Sequence, residues 1–367
     1  MKPLSIPPGA PILVRSPNWV GDAVMAMPFY DALAQLFPDS PITVAARPHA
    51  ADIARLDRGV QVLEQDDRGR DSGVTGRLRL ATELRRMRFK AVFLLPHSFS
   101  SALLPFLARI PIRVGYSRDA RGLFLTHGVR WSAAARAMHR TDAYLHLLTA
   151  VGLQPARPPI ARYEVRTEER REVAHLLAGA AVEGRERLIA VAPGAMGVAR
   201  RWPAERFAGV GVRLAKRFDA RLLLLGGPAD RPLCDAVERA AGGLTVNLAG
   251  RTPLALLPAL IDRCSLLVAN DSGASHVASL TQTPTIVLQG AGDESITRQR
   301  GAHIHLIRKP MGCAPCVKNV CARGDQACLI SIDVDDVLAL AEYLLAPGQA
   351  PASGGQCEER RKKPSRA

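Results

Sequence analysis

Four short segments carry residue types that could do chemistry. The first is Ser16-Pro17-Asn18-Trp19-Val20-Gly21-Asp22. Gly21 allows a tight turn and a close approach of backbone to a ligand. The Asp22 carboxylate, at the start of a helix, could take a proton from a hydroxyl that is about to attack. The same aspartate could instead serve as a helix cap. The second segment runs from Pro193 through Gly194 and Gly197 to Arg200-Arg201-Trp202-Pro203. Glycines free the backbone, two arginines supply fixed charge, and Pro203 suits a first helical turn, so the segment could hold a phosphate or diphosphate. An ordinary loop with solvated arginines is the alternative.

The third segment is Asn270-Asp271-Ser272-Gly273-Ala274-Ser275-His276. It lies between an apolar run and a helical pattern. Free N–H groups at such a helix start favour an anion, and Ser272 and His276 can donate hydrogen bonds. Capping by Asp271 or Ser272 can coexist with binding. The fourth is the cysteine group Cys313, Cys316, Cys321 and Cys328. A C-x-x-C pair with two further cysteines could hold zinc or an iron–sulfur cluster, yet the later spacings match no zinc pattern. Idle thiols are the other reading. No Gly-x-Gly-x-x-Gly follows the first strand, which disfavours a dehydrogenase. No Asp-x-Asp pair accompanies the second and third segments, so a divalent metal is not implied.

These segments need a frame to position them. Apolar runs that predict strands alternate with stretches of helical periodicity along the chain, which argues for parallel sheets with crossover helices. A proline-rich and polar stretch, Gln154 to Arg171, divides two such series. The expected architecture is α/β, with two Rossmann-like lobes facing a cleft. The expected boundaries are 1–160 and 161–350, followed by a disordered basic tail at 351–367. Ligands of such sheets bind outside the carboxyl ends of the strands. The first three segments all fall at strand-to-helix junctions of that kind.

Composition narrows the class further. The chain has 367 residues, 47% hydrophobic and 23% charged, with a formal net charge of +15. That is a globular composition, and the basic excess is concentrated in the amino-terminal half, which suits an anionic partner. No apolar run reaches the ~18 residues of a membrane span. Residues 1–10 lack the apolar centre of a secretory signal, which favours the cytoplasm. Aromatic residues are only 5%, too few to suggest stacking on nucleic acid. Cys234 and Cys264 read as buried apolar residues.

Taken together, the segments resemble the lipopolysaccharide heptosyltransferases, closest to the heptosyltransferase II type. The resemblance rests on Asn18-Trp19-Val20-Gly21-Asp22 with Ala26-Met27-Pro28, and on the run His97 to Phe106 followed by Arg109-Ile110-Pro111 and Arg113-Val114-Gly115-Tyr116. It rests also on Arg201-Trp202-Pro203-Ala204-Glu205-Arg206-Phe207, on Asn270-Asp271-Ser272-Gly273 with His276, and on the cysteine spacing. It covers roughly residues 11–345.

The resemblance implies a GT-B fold and inverting transfer of heptose from ADP-heptose to the inner core of lipopolysaccharide, the second heptose onto the first. It implies Asp22 as catalytic base, with Asp271, Ser272, Gly273 and His276 at the donor. Arg200 stands where the family has a phosphate-contacting lysine, keeping the charge but changing its geometry. Asp230, after Gly226-Gly227, would contact the ribose. With Gly194 and Arg201 from the second segment, these form the donor set. Asn18, Arg113 and Arg118, together with Arg85, Arg86 and Arg88, are the candidate acceptor contacts. No cofactor beyond the donor is required. The expected partner is a lipid-linked anionic core oligosaccharide at the cytoplasmic face of the inner membrane. Two other readings compete with this one: a different sugar-nucleotide enzyme of the same architecture, and a basic nucleic-acid protein with a cysteine-held metal.

Overall fold

The computed structural model describes residues 4–66, 69–161, 163–182 and 186–346. The tail at 351–367 and Cys357 lie outside the described residues. The first lobe is built from β1 (Ile12–Arg15), α1 (Val20–Leu36), β2 (Ile42–Ala46), α2 (Pro48–Ala54), β3 (Gln61–Glu64), α3 (Gly73–Arg86), β4 (Ala91–Leu94), α4 (Phe99–Leu107), β5 (Ile112–Ser117) and β6 (His127–Arg130). Two helices, α5 (Ala133–Ala137) and α6 (Arg140–Thr149), lead out of it. The second lobe opens with α7 (Thr167–Ala178), β7 (Arg187–Ala192), α8 (Ala204–Phe218), β8 (Ala220–Leu224), α9 (Arg231–Ala241) and β9 (Thr245–Asn247). It continues through α10 (Leu257–Asp262), β10 (Leu266–Asn270), α11 (Gly273–Ala278), β11 (Thr285–Gln289), α12 (Glu294–Thr297) and β12 (Ile304–Arg308). It closes with α13 (Ala327–Ile330) and α14 (Val334–Leu345).

The two sheets share one topology. Their orders are β3-β2-β1-β4-β5-β6 and β12-β11-β10-β7-β8-β9, with every pair parallel. In each, the strand order reverses beside the first strand, between β1 and β4 and between β7 and β10. Crossovers leave in opposite directions there, so a crevice opens at the strands' carboxyl ends. The first turn of α1, directly after β1, carries Asp22, the loop after β7 carries Arg200, and the turn after β10 carries Asp271.

Side-chain alternation fills the layers. Ile12 and Val14 face a central apolar core shared by both lobes, whereas Leu13 faces the outer core under α3 and α4. Leu188 and Ala190 join the same central core, and Ile189 and Val191 the outer core under α8 and α14. The central core is continuous across the interface because α1 packs on α11. Among the described residues no helix is long and apolar enough to cross a membrane.

Six elements escape the sequence reading, two of them the four-residue helices α12 and α13. Helix α2 is one seven-residue stretch begun by Pro48, too short to show a period. Strand β6 is four residues with a single buried position, Val129. Helix α5 is likewise short. The polar stretch read as linker through Arg171 already contains α7. Its buried stripe is only Glu169, Val173 and Leu177, and the charged remainder hides the amphipathic pattern.

Candidate active site

The loop after β1 is held from below. The Ser16 N–H donates to the Ala45 carbonyl, and the buried Tyr30 hydroxyl reaches Ser16 Oγ at 3.4 Å. Trp19 is the N-cap of α1 and contributes no side-chain cap. Asp22 therefore sits in the first turn with its carboxylate unspent on capping. Its nearest charged partner is Arg140, the first residue of α6, with Nε 3.7 Å from Oδ1. Burial raises the Asp22 pKa above the usual carboxylate range, and Arg140 and Arg200 partly offset this. A carboxylate raised by burial and tempered by cations is suited to accepting a proton. Beside it, the Asn18 Oδ1 atom is buried without a hydrogen-bond partner among the described residues.

In the second lobe, one buried amide ties the two binding segments together. Asn270 accepts from the Trp202 N–H through Oδ1 and donates to the Pro193 carbonyl at 2.7 Å. Trp202 is fully buried, and its indole N–H donates to the Ile332 carbonyl. The segment from Pro193 to Trp202 is thus anchored at both ends. Between them Arg200 Nη1 reaches Asp271 Oδ2 at 3.3 Å, while the Arg200 Nε is buried and unpartnered among the described residues. Gln299 donates to Asp271 Oδ1 and to Ser275 Oγ. Ser275 Oγ also accepts the Ser272 N–H, and the buried Ser272 Oγ has no partner among the described residues. Arg201 donates to the Ala195 carbonyl and braces its own loop. Asp230 accepts the Gly227 N–H and lies against Gly194, where an added Cβ would come 2.4 Å from its carboxylate.

The two lobes meet at the site itself. A Cβ on Gly21 would stand 2.6 Å from the His276 ring, and one on Gly273 would stand 3.1 Å from Val20. Only bare backbone lets the first turn of α1 lie on α11. His276 is buried, and that burial pulls its pKa down to about 4 despite the nearby Asp271. The ring is therefore neutral near pH 7, with one nitrogen to donate and one to accept. Arg300 pairs with Asp142 at 2.6 Å, and His139 Nε2 lies 2.8 Å from the Arg298 carbonyl oxygen, both across the lobes.

Not every expected residue reaches this crevice. Arg118 follows the carboxyl end of β5 and lies close enough to His97 to depress its pKa. Arg113 is near the amino end of β5. It donates to the carbonyls of Phe124 and Ile110 and stacks over Phe106. Arg85, Arg86 and Arg88 close α3 just before β4 begins, again at the far end of the sheet. A parallel strand separates its two ends by its whole length, so these four side chains are set apart from Asp22.

Three residues at the crevice escape the sequence reading. Arg140 touches Asp22. His97 packs edge-on to Trp131 with ring centroids 4.3 Å apart, and its pKa falls to about 4 through burial and the nearby Arg140, Arg121 and Arg118. Arg121 is 1% exposed and donates to the Pro96 carbonyl at 2.7 Å. Burial lowers its pKa to about 10. Only the coincidence of basic residues with strand ends could have pointed to them.

The cysteines Cys313, Cys316, Cys321 and Cys328 are all free thiols, and the described residues contain no group of three or more metal-ligand side chains placed to hold an ion. The metal reading of this segment is thus not carried by the side-chain arrangement. Backbone hydrogen bonds tie the segment to the loops after β7 and β11. The Asn319 carbonyl accepts the Ala199 N–H, and the Val317 N–H donates to Ala291. Cys234 and Cys264 are buried, which pushes both thiols up to about 12.

Comparison with known proteins gives the family of this two-lobed chain. Residues 77–326 match the model of glycosyltransferase family 9 (heptosyltransferase). The chain belongs to this family and is a glycosyltransferase of GT-B architecture. It is 30% identical over 348 residues to lipopolysaccharide heptosyltransferase 2 of Salmonella typhimurium, covering 91% of this chain and 98% of that one. The solved structure of the Escherichia coli ADP-heptose lipopolysaccharide heptosyltransferase II superposes with a TM-score of 0.78 at 26% identity, covering 91% of this chain and 98% of that one. A family 9 glycosyltransferase from Veillonella parvula superposes with a TM-score of 0.83 at 23% identity over 93% of this chain and 98% of that one.

Proposed function

We propose that this protein transfers heptose from ADP-heptose, with inversion, to a heptose hydroxyl on the lipid-linked inner core of lipopolysaccharide, adding the second heptose to the first. The observation that carries this reading is the uncapped, burial-raised Asp22 carboxylate opposite Arg200 and Asp271. The first lobe, residues 1–160, takes the acceptor. The second, residues 161–350, takes the donor. The acceptor oxygen attacks the anomeric carbon of the donor as Asp22 removes its proton. The bond from that carbon to the diphosphate oxygen breaks on the opposite face, and ADP departs. Arg200 and the backbone from Gly194 hold the new negative charge, with one such donor worth ~3 kcal/mol at the transition state. Asp271 orients Arg200, and Gln299 orients Asp271. Ser272, Gly273 and His276 line the donor, and Asp230 meets its ribose. Asn18 and Arg118 face the acceptor. The enzyme works at the cytoplasmic face of the inner membrane, where its acceptor is assembled, and nucleic acid has no part in the reaction.

The test is incubation of the purified protein with ADP-heptose and core lipid that ends at its first heptose, read by mass. The expected product carries one added heptose, and core lipid without any heptose is left unchanged. Equal turnover of UDP-sugars, or no added heptose, overturns the reading.

A further inference from the structure

The outer face of the first lobe has a composition that neither the fold nor the crevice requires. From Ser72 to Arg118 the sequence holds nine Lys and Arg residues and one acidic residue, Glu83. The helices of this stretch, α3 and α4, pack side by side, and α4 packs in turn on the 3-10 turn ending at Phe124. Their inner sides bury Leu80, Leu84 and Ala102 in the outer core. Their outer sides should then be polar. They are not. Val74 and Leu78 stand out from α3, Phe99 and Phe106 from α4, and Leu123, 82% exposed, from the turn. Phe99 and Phe106 each meet Phe124, with centroids 5.1 Å apart, so the aromatic surface is continuous along α4. Phe106 also borders an open depression of about 540 Å³ with Leu107, Arg109 and Arg113.

Unspent charge surrounds this surface. Arg77, Arg85, Arg86, Arg88 and Arg109 are exposed and make no side-chain ion pair or hydrogen bond among the described residues. A contiguous apolar patch rimmed by free cations fits an anionic bilayer, which accepts rings and leucines at its interface and attracts arginines to its phosphates. A second copy of this chain would bring the same free cations against themselves. The patch also leads to the chemistry. Helix α4 begins two residues after His97 at the crevice and ends at the opposite edge of the sheet.

We propose that the outer face of α3, α4 and the turn through Phe124 is the surface on which this protein docks on anionic lipid. This rests on the reading of the acceptor as lipid-linked and adds where the lipid lies. A docked bilayer lies along α4, so an acceptor head group rising from it enters the crevice beside His97.

The experiment is co-sedimentation of the full chain with phosphatidylglycerol-rich vesicles and with phosphatidylcholine vesicles. The unsubstituted protein is expected to bind the former at low salt, to release at high salt, and to ignore the latter. A Phe106→Ser, Leu123→Ser variant and an Arg77→Glu, Arg86→Glu variant should each bind at least ~10-fold more weakly. Both should retain the unfolding temperature and their kcat/KM on an acceptor oligosaccharide freed of its lipid. Transfer to lipid-linked acceptor without any vesicle binding overturns the docking surface and leaves the proposed activity standing. Equal losses on the lipid-free acceptor overturn it too, because the residues then serve the crevice. A dimer in sedimentation equilibrium that the serine variant dissociates, with vesicle binding unchanged, assigns the patch to a second copy and overturns the proposal.

Discussion

The His276 ring lies where the side chain of residue 21 would be, 2.6 Å from a Cβ built on Gly21. Neither partner can give way. The ring is buried beside Asp271, and residue 21 is fixed in the first turn of α1. Gly21→Ala must therefore shift the turn that carries Asp22 relative to the donor lobe. The expected result is a fall in kcat/KM of ~100-fold with little change in the unfolding temperature, since displacement near 1 Å suffices for that loss. Steady-state kinetics beside thermal unfolding would check it, and an alanine variant of full activity would contradict the contact.

Arg200 is oriented by Asp271, and its buried Nε has no partner among the described residues, which leaves it available to a ligand. Arg200→Ala should reduce kcat ~100-fold, the usual cost of one lost transition-state donor. Arg200→Lys keeps the charge but loses the planar fork, so its loss should be smaller and fall mainly on donor binding. Calorimetric titration with ADP and turnover measurements on both variants separate the two effects.

The pH dependence follows from Asp22 and Arg140. Asp22 accepts a proton only when ionised, so kcat/KM should fall as pH drops through its raised pKa. Arg140 lowers that pKa from 3.7 Å away. Arg140→Gln removes the stabilising charge, and the acid limb of the profile should move to higher pH. A limb that stays in place would show that Arg140 acts only on packing.

Much of this site was legible because its residues sit where local pattern is strong. Asp22, Arg200, Asp271 and Gly273 each follow a strand whose apolar run is visible in the sequence, and each lies at or just before the start of a helix. Parallel strands bring such junctions to one edge. What was not legible depends on register and on contacts between distant segments. Arg113 and Tyr116 belong to the same short strand, yet Arg113 lies toward its amino end and Tyr116 beside His97. Arg140 meets Asp22 only because α6 returns to pack on α1, which no local pattern announces. The cysteines clustered in sequence as metal ligands would. Their segment holds the Arg200 loop through backbone at Asn319, where side-chain type leaves no trace.

His276 also sets an acid limit on stability. Its folded pKa is about 4 against an ordinary value of 6.5, because burial disfavours the charged ring. The unfolded chain binds the proton first, so the contribution is full above pH 6.5 and is lost as pH falls toward about 4. Roughly 2 kcal/mol should disappear between about pH 7 and about pH 5 in urea unfolding. His276→Gln should flatten that slope.

The most direct measurement pairs donor binding with single-turnover transfer in Asp22→Asn, which keeps the shape of the side chain and removes its capacity to accept a proton. ADP-heptose should bind within a few-fold of the unsubstituted protein while transfer falls by at least ~1,000-fold. Transfer at a comparable rate, with donor bound, would contradict the assignment of Asp22 as the base.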